Sequence, residues 1–144
     1  IESTVVDCRG DFPIILRHGY ITAEMISNIF NSKILSLHDS KELISPGQMK
    51  SHYSPKANVF INQKANINDS AWLIFGNHPK TLRKDHIMFN LSPTGNLYQA
   101  SKLLYIGLRY LDSFKVKNIQ VMPIPMKGIG VAINDRLKRA SFKN

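Results

Sequence analysis

Short apolar runs alternate with polar breaks along this chain, and most of them have the length and the Val and Ile content of β-strands. Two such runs lie near the N-terminus, and the connector between them contains Gly and Asp, which favour a turn. The runs that we predict to be strands cover residues 3–6, 13–16, 33–37, 59–62, 71–75, 86–91 and 119–124.

Helical periodicity appears in three places. Thr22 can cap a helix whose apolar residues follow at Met25, Ile26, Ile29 and Phe30. The strongest pattern predicts a helix over 96–114, and a last helix opens at Gly128-Ile129-Gly130. The buried faces of these two helices are predicted to consist of Leu97, Ala100, Leu103, Leu104, Leu108 and Leu111, and of Ile133, Leu137 and Ala140.

Gly107 lies inside the long predicted helix. Glycine costs a helix interior about 1 kcal/mol relative to alanine, so we expect it to let another element pack closely.

Strands separated by helices predict an α/β fold, with a mainly parallel, Rossmann-like sheet in the second part of the chain. Residues 38–56 show no sustained period and contain the breakers Ser45-Pro46-Gly47 and Ser54-Pro55. Because they hold too few Gly and Ser for a random coil, we expect an ordered linker.

Charge is distributed unevenly between the two parts of the chain. The 144 residues have a formal net charge of +9. Residues 1–45 carry four basic and six acidic side chains, whereas residues 46–144 carry 15 basic and four acidic ones. The change suggests a domain boundary. A basic half suits a nucleic acid, a nucleotide or an acidic partner, although general lysine enrichment explains the same balance.

Several classes of protein are disfavoured by simple features. One cysteine, Cys8, excludes an internal disulfide and a cysteine metal cluster, and the five histidines lack zinc-ligand spacing. No run approaches the roughly 18 apolar residues of a membrane span, and no signal peptide opens the chain. Its start on a strand-like pattern without Met is expected of a fragment. We therefore expect a cytoplasmic protein without a membrane segment or a metal site.

Ser3 and Arg17 lie on the two N-terminal strands. If these strands pair as a hairpin, the hydroxyl and the guanidinium can reach one small site, and such a pair suits a phosphate because arginine offers a planar charge-assisted fork. The alternative is structural, with Arg17 closing a sheet end and Ser3 satisfying a turn. Spacing alone favours this alternative.

Three motifs, in order along the chain, resemble one family. Residues 1–7, I-E-S-T-V-V-D, and 15–19, I-L-R-H-G, resemble the closing strands of a YrdC-like catalytic domain, E-S-T-V-V-D and I-L-R-P-G. Residues 45–56 resemble its linker, S-P-G followed by H-Y-x-P, and residues 128–137 resemble the signature G-x-G-x-A-I-N-D-R-L. Together they resemble the C-terminal portion of the two-domain threonylcarbamoyl-AMP synthases.

The resemblance implies a division of the chain and a reaction. Residues 1–44 would be the remnant of the YrdC-like domain, 45–56 the linker and 57–144 the C-terminal α/β domain. The family joins ATP, L-threonine and bicarbonate into threonylcarbamoyl-AMP and pyrophosphate, for threonylcarbamoyladenosine modification of tRNA. ATP is a substrate here, and the sequence leaves magnesium open.

Site residues follow from the same motifs. Ser3, Thr4 and Arg17 are implied to bind the phosphates of ATP, and His52 and Tyr53 to form a lid over the adenylate, with simple packing of the linker as the alternative. His18 replaces the usual proline, and Gln48-Met49-Lys50-Ser51 departs from the relatives' linker. The family's upstream K-x-R pair, threonine-binding residues and S-x-N motif are not in this sequence, so we assign no catalytic residue.

Two functions therefore remain open. The first is a fragment of the synthase, whose missing half could be separately encoded. The second is a non-catalytic nucleotide- or RNA-binding module, or a decayed remnant. The turn at Gly128-x-Gly130 is better explained by packing than by a cofactor, since a third glycine is missing. The basic run Arg136, Lys138, Arg139 and Lys143 is predicted to be a solvated helix face, with direct tRNA contact left open.

Overall fold

The computed structural model describes residues 1–31, 34–36, 54–63, 70–77, 80, 82 and 85–142. Within them, three strands form a small N-terminal sheet and four strands form a second sheet. Among the described residues, no helix is long and apolar enough to cross a membrane.

The N-terminal sheet contains the predicted hairpin. Strand β1 (Val5–Asp7) pairs antiparallel with β2 (Ile14–Arg17), and β2 pairs parallel with β3 (Leu35–Ser36). Helix α1 (Ala23–Phe30) connects β2 to β3, and the side chain of Thr22 accepts a hydrogen bond from the Met25 amide at 3.3 Å. The predicted cap is therefore confirmed.

The second sheet consists of β4 (Asn58–Phe60), β5 (Ser70–Ile74), β6 (Met88–Asn90) and β7 (Asn118–Val121). Their order is β4-β7-β5-β6, and every pairing is parallel. Helix α2 (Leu97–Ser113) connects β6 to β7, and α3 (Gly130–Ser141) follows β7. The prediction of an α/β fold with a mainly parallel sheet is confirmed.

Several predicted strands extend past the ends of the observed ones, and the difference has a physical cause. Leu91 and Ile124 were counted as strand residues, yet both lie beyond the strand ends and are buried. An apolar run reports burial, whereas a strand also needs a partner for each backbone group. At Ile124 the core therefore extends beyond the strand, whereas the Leu91 amide still donates to the Ile74 carbonyl at 2.8 Å.

Helices α2 and α3 pack with the sheet in one hydrophobic core. In α2 the predicted stripe is confirmed, with Leu97 and Leu103 half-buried at its margin. A Cβ on Gly107 would lie 2.8 Å from Phe89 Cδ1 and 2.9 Å from Leu73 Cδ1, so this glycine allows the close packing that we predicted. The buried stripe comprises Ala100, Leu104, Leu108 and Leu111, and the buried face of α3 includes Ile133, Leu137 and Ala140.

The turn before α3 depends on glycine for space as well as for conformation. Gly128 has a φ of +50°, in the left-handed region that favours glycine. A Cβ on Gly130 would lie 2.0 Å from the carbonyl oxygen of Pro125. The Asn134 side chain closes the same turn by donating to the carbonyls of Ile124 at 3.0 Å and Gly130 at 2.9 Å. These contacts give the glycine pair a packing role.

We predict that Gly130→Ala destabilises the chain, although alanine is the better helix former. The added methyl meets a backbone oxygen that cannot rotate away, and overpacking of this kind costs about 1–3 kcal/mol. Urea unfolding would measure the change in the free energy of unfolding. Gly10→Ala is the matched control, because nothing lies within 4 Å of its added Cβ. Equal or greater stability of Gly130→Ala would contradict the packing role.

Candidate functional site

The hairpin places the guanidinium of Arg17 against Ser3. Arg17 Nη2 donates to Ser3 Oγ at 3.3 Å, and Arg17 Nε donates to the Ser3 carbonyl at 3.2 Å. Ser3 is exposed and Arg17 is half-buried, so the pair faces solvent from a fixed position. The predicted juxtaposition is confirmed, while the role in binding phosphate stays a prediction.

Thr4 is engaged in a local contact. Its hydroxyl donates a short hydrogen bond to the carbonyl of Ile21, in the segment that leads into α1. The hydroxyl oxygen keeps lone pairs but its proton is directed to Ile21. Thr4 therefore ties β1 to the start of α1, and its role in binding ATP stays a prediction.

Gly19 permits the close approach of the two segments that carry this pair. A Cβ at position 19 would lie 2.3 Å from the Thr4 nitrogen, 2.4 Å from the Glu2 oxygen and 2.4 Å from the Ser3 carbonyl carbon. All three are backbone atoms, so no side-chain movement could relieve the overlap. The glycine after His18 is thus required for the chain to run against residues 2–4.

Next to this pair in sequence is a partly buried ion pair that joins the first part of the chain to α2 and α3. Arg136 Nε donates to the Glu2 carboxylate at 2.8 Å, and Tyr105 Oη donates to the same carboxylate at 2.9 Å. Arg136 Nη2 donates to the carbonyl of His18 at 3.0 Å, and Nη1 pairs with Asp135. Arg136 is 5% exposed, and its guanidinium has these three partners in place of water.

Two further contacts hold the first part of the chain against α2. The nitrogen of Ile1 donates to the carbonyl of Ser101 at 3.2 Å. The rings of Tyr20 and Tyr98 lie with their centroids 5.6 Å apart at an angle of 58°, a geometry in which aromatic pairs attract each other. The contact between the two parts of the chain therefore has polar and aromatic components.

The position of Arg136 corrects one prediction. It was assigned to a solvated basic face, but it is buried, whereas Lys138 is exposed and Arg139 pairs with Asp135 at 3.1 Å. Helical spacing contained the signal: Arg136 lies three residues after Ile133 and beside Leu137, on the buried face. A charge on that face needs a partner, and Glu2 is too distant in sequence for a pattern to reveal.

The ion pair sets the ionisation of its members. Burial alone would raise the pKa of Glu2, but hydrogen bonds from Arg136 and from its own backbone amide, the charge of Arg136 and the Tyr105 hydroxyl together lower it from 4.5 to about 2. Burial and the neighbouring Glu2 carboxylate raise the pKa of Tyr105. The carboxylate is therefore ionised, and the phenol is a hydrogen-bond donor, at neutral pH.

Two opposed effects act on the pKa of Arg136. Burial would lower its pKa, and the hydrogen bonds and charges of Glu2 and Asp135 outweigh that effect, so the pKa is raised. The guanidinium is therefore a fixed positive charge in the interface between α3 and residues 2–18.

The predicted lid residues, His52 and Tyr53, lie outside the described residues. Immediately after them, Ser54 donates to the carbonyl of Ala140 at 3.1 Å, and the amide of Ala57 donates to Asp112 at 2.9 Å. The end of the predicted linker is thus attached to both helices of the second part.

Three lysines of the basic part of the chain, residues 46–144, line an open groove of about 450 Å³. Lys56, Lys115 and Lys117 contribute its basic side chains, and Asn58 and Asn118, which also line it, share a hydrogen bond of 3.2 Å. Among the described residues no three His, Cys, Asp or Glu side chains are grouped to hold a metal ion.

We predict that Glu2→Gln lowers the free energy of unfolding at neutral pH and that the loss disappears in acid. Because folding lowers the pKa of Glu2, its contribution is complete above about pH 4.5 and is lost as the pH falls toward 2. The carboxylate side chain is 25% exposed, so after screening by solvent we expect on the order of 1–2 kcal/mol. Urea unfolding of both proteins from pH 7 to pH 2 measures this difference, and a pH-independent difference would contradict the assignment.

Sequence comparisons show which proteins this chain is similar to. The family model described as "Threonylcarbamoyl-AMP synthase, C-terminal domain" matches residues 21–141. The threonylcarbamoyl-AMP synthase of Bacillus subtilis (strain 168) is 29% identical over 98% of this chain and 45% of its own length. That of Pyrococcus abyssi (strain GE5 / Orsay) is 24% identical over 98% of this chain and 46% of its own length.

Solved structures share the fold. The crystal structure of P. abyssi Sua5 complexed with L-threonine matches 97% of this chain and 45% of its own, with a TM-score of 0.80 and 22% identity. A doubly substituted variant of P. abyssi Sua5 matches with a TM-score of 0.76 and 22% identity, over 98% of this chain and 45% of its own. This chain spans a little under half the length of the relatives that it matches. Since the family model covers most of the sequence, the chain belongs to the family of the threonylcarbamoyl-AMP synthase C-terminal domain.

Proposed function

We propose that this chain is the C-terminal portion of an L-threonylcarbamoyladenylate synthase that acts in tRNA threonylcarbamoyladenosine modification in the cytoplasm. The observation that carries the proposal is the family match over residues 21–141, and the contact between Arg17 and Ser3 supports it. In the intact enzyme the substrates would be ATP, L-threonine and bicarbonate, and the products threonylcarbamoyl-AMP and pyrophosphate.

The proposal includes a division of the chain. Residues 1–44 would close a YrdC-like catalytic domain, 45–56 would form the linker, and 57–144 would form the C-terminal domain. The separate sheets of the first and second parts support this division. The curated relatives match 98% of the chain, which supports an N-terminal segment that belongs to the same enzyme.

The chemistry explains what Ser3 and Arg17 would contribute. The amine of threonine takes up carbon dioxide as a carbamate, whose oxygen attacks the α-phosphorus of ATP. A carbamate–phosphorus bond forms while the bond to the bridging oxygen breaks, and pyrophosphate leaves with that electron pair. Such a transfer depends on positioning and on neutralising phosphate charge. Arg17, fixed by Ser3, would supply one positive charge at the phosphates, and Thr4 would add a polar contact.

On the resemblance alone, we extend the proposal to the linker. His52 and Tyr53 would cover the bound adenylate and exclude water from its mixed anhydride. The attachment of Ser54 and Ala57 to α3 and α2 supports a defined end for that segment.

We predict that the 144-residue chain alone makes no threonylcarbamoyl-AMP, because its sequence contains no K-x-R pair for phosphates and no S-x-N motif of the kind that the resemblance requires. Pyrophosphate release that depends on both threonine and bicarbonate is the measurement. The same assay with the catalytic half supplied, joined or mixed, should show activity. Activity of the chain alone would contradict the division of the enzyme, whereas inactivity of the folded, joined protein would favour a non-catalytic module.

In that joined enzyme, Arg17→Ala should weaken the binding of ATP or slow turnover at least about tenfold, since loss of one charge-assisted partner easily exceeds the 1.4 kcal/mol that a factor of ten requires. Titration with a non-hydrolysable ATP analogue and the pyrophosphate assay measure the two effects. Arg9→Ala is the control, because Arg9 lies on the same hairpin, exposed, and pairs with Asp7 at 2.7 Å. Equal behaviour of the two variants would remove the phosphate assignment.

A further inference from the structure

One side chain of α3 binds a residue next to each member of the proposed phosphate site, one through its carboxylate and the other through its backbone carbonyl. Glu2 immediately precedes Ser3, and His18 immediately follows Arg17. Arg136 binds the Glu2 carboxylate through Nε and the His18 carbonyl through Nη2, at 2.8 Å and 3.0 Å. The two residues of the site are thus each one position from a contact with the same guanidinium.

Close packing and further hydrogen bonds restrict the positions of the groups that form these contacts. Gly19 brings its segment into backbone contact with residues 2–4, where no methyl group would fit. The rotation of Arg136 is restricted by its burial and by its third contact, from Nη1 to Asp135 on α3. Asp135 is in turn held by Arg139 at 3.1 Å. The fork is therefore oriented from its own helix and reaches Glu2, which precedes β1, and His18, which follows β2.

We propose that Arg136 is a positioning residue for the reaction, and that α3 of the C-terminal domain sets the separation of Ser3 and Arg17 through it. This inference rests on the proposed function, because it assumes that Ser3 and Arg17 contact the phosphates of ATP. It gives the C-terminal domain a part in the catalytic geometry without requiring that domain to touch a substrate.

Stability alone is a weaker explanation of the same residue. A buried ion pair is often no more stabilising than well-packed apolar side chains of similar volume, because both charges lose their water. A guanidinium, unlike an apolar side chain, donates hydrogen bonds in fixed directions, so its nitrogens fix the positions of several acceptors at once. The replacement of the family's proline by His18 leaves this contact intact, because the acceptor is a backbone carbonyl that either residue provides.

The first test measures geometry and needs no activity. Amide hydrogen exchange of the 144-residue chain should show that Arg136→Met accelerates exchange at the hydrogen-bonded amides of the β1–β2 pair by at least about tenfold, as expected for local opening. Exchange at the amides of β7 should change by less than about twofold. Uniform acceleration throughout would mean that Arg136 supports the whole fold, and it would overturn the inference.

The second test uses the intact enzyme, in which this chain follows the catalytic half that the resemblance requires. Arg136→Met should lower kcat/KM for ATP by at least about tenfold, because small misplacements of a binding group have effects of this size. The KM for threonine should stay within about twofold. Lys138→Met is the matched control on the same helix, since Lys138 is a cationic side chain on its exposed face, and it should retain kcat/KM for ATP within about threefold.

A conservative variant separates charge from direction and guards against failure to fold. Arg136→Lys keeps the positive charge beside Glu2, but one ammonium cannot reproduce the three directed contacts of the fork. We expect its β7 amides to exchange as slowly as those of the unsubstituted chain, which shows that the variant folds, while kcat/KM for ATP stays at least about fivefold reduced. Full recovery with lysine would show that charge alone suffices and would overturn the inference.

The two proposals fail differently. If Arg17→Ala lowers kcat/KM for ATP and neither variant of Arg136 does, the positioning role is wrong while the phosphate site stands. If Arg17→Ala has no effect on ATP in an active enzyme, the phosphate site itself is wrong, and the positioning role falls with it.

Discussion

The desolvated guanidinium of Arg136 is the constraint on which the arrangement of the two parts of the chain depends. A buried positive charge is costly unless it is paired, so α3 can pack in its observed position only when a carboxylate and carbonyl groups come with it. Glu2 and the backbone at His18 are these groups, and both belong to the N-terminal segment. Because Arg136 on α3 requires these partners, its burial fixes the position of the separate N-terminal sheet.

Close backbone approach works together with this charge pairing. Gly19 lets two segments of the first part meet, Gly130 lets α3 start against Pro125, and Gly107 lets α2 lie against the side chains of β5 and β6. In each place a methyl group would occupy space that another atom already holds. The hydrogen bonds from Arg136 to Glu2 and His18 need the approach at Gly19, because their directed geometry tolerates little displacement. Packing and electrostatics therefore specify the same arrangement.

Much of the fold could be predicted because its signals are local. Apolar spacing indicated the helices, the stripe that buries Leu104, and the strands around Trp72, while Thr22 indicated a cap. Strand ends were less accurate, since burial continues past the end of β7 at Ile124. For the candidate site, the hairpin motif indicated that Ser3 and Arg17 would meet, whereas Arg136 was misassigned to solvent.

The sequence by itself determined the type and order of the elements, the parallel α/β architecture and the family, because these follow from periodicity and from contiguous motifs. Tertiary structure alone decided which charged residue is buried. Glu2 and Arg136 are 134 positions apart and Tyr105 comes from a third element, so no local pattern relates them. Their partnership depends on how three elements pack, and the free energy of an ionised group is set by the partners and water around it rather than by its neighbours in sequence.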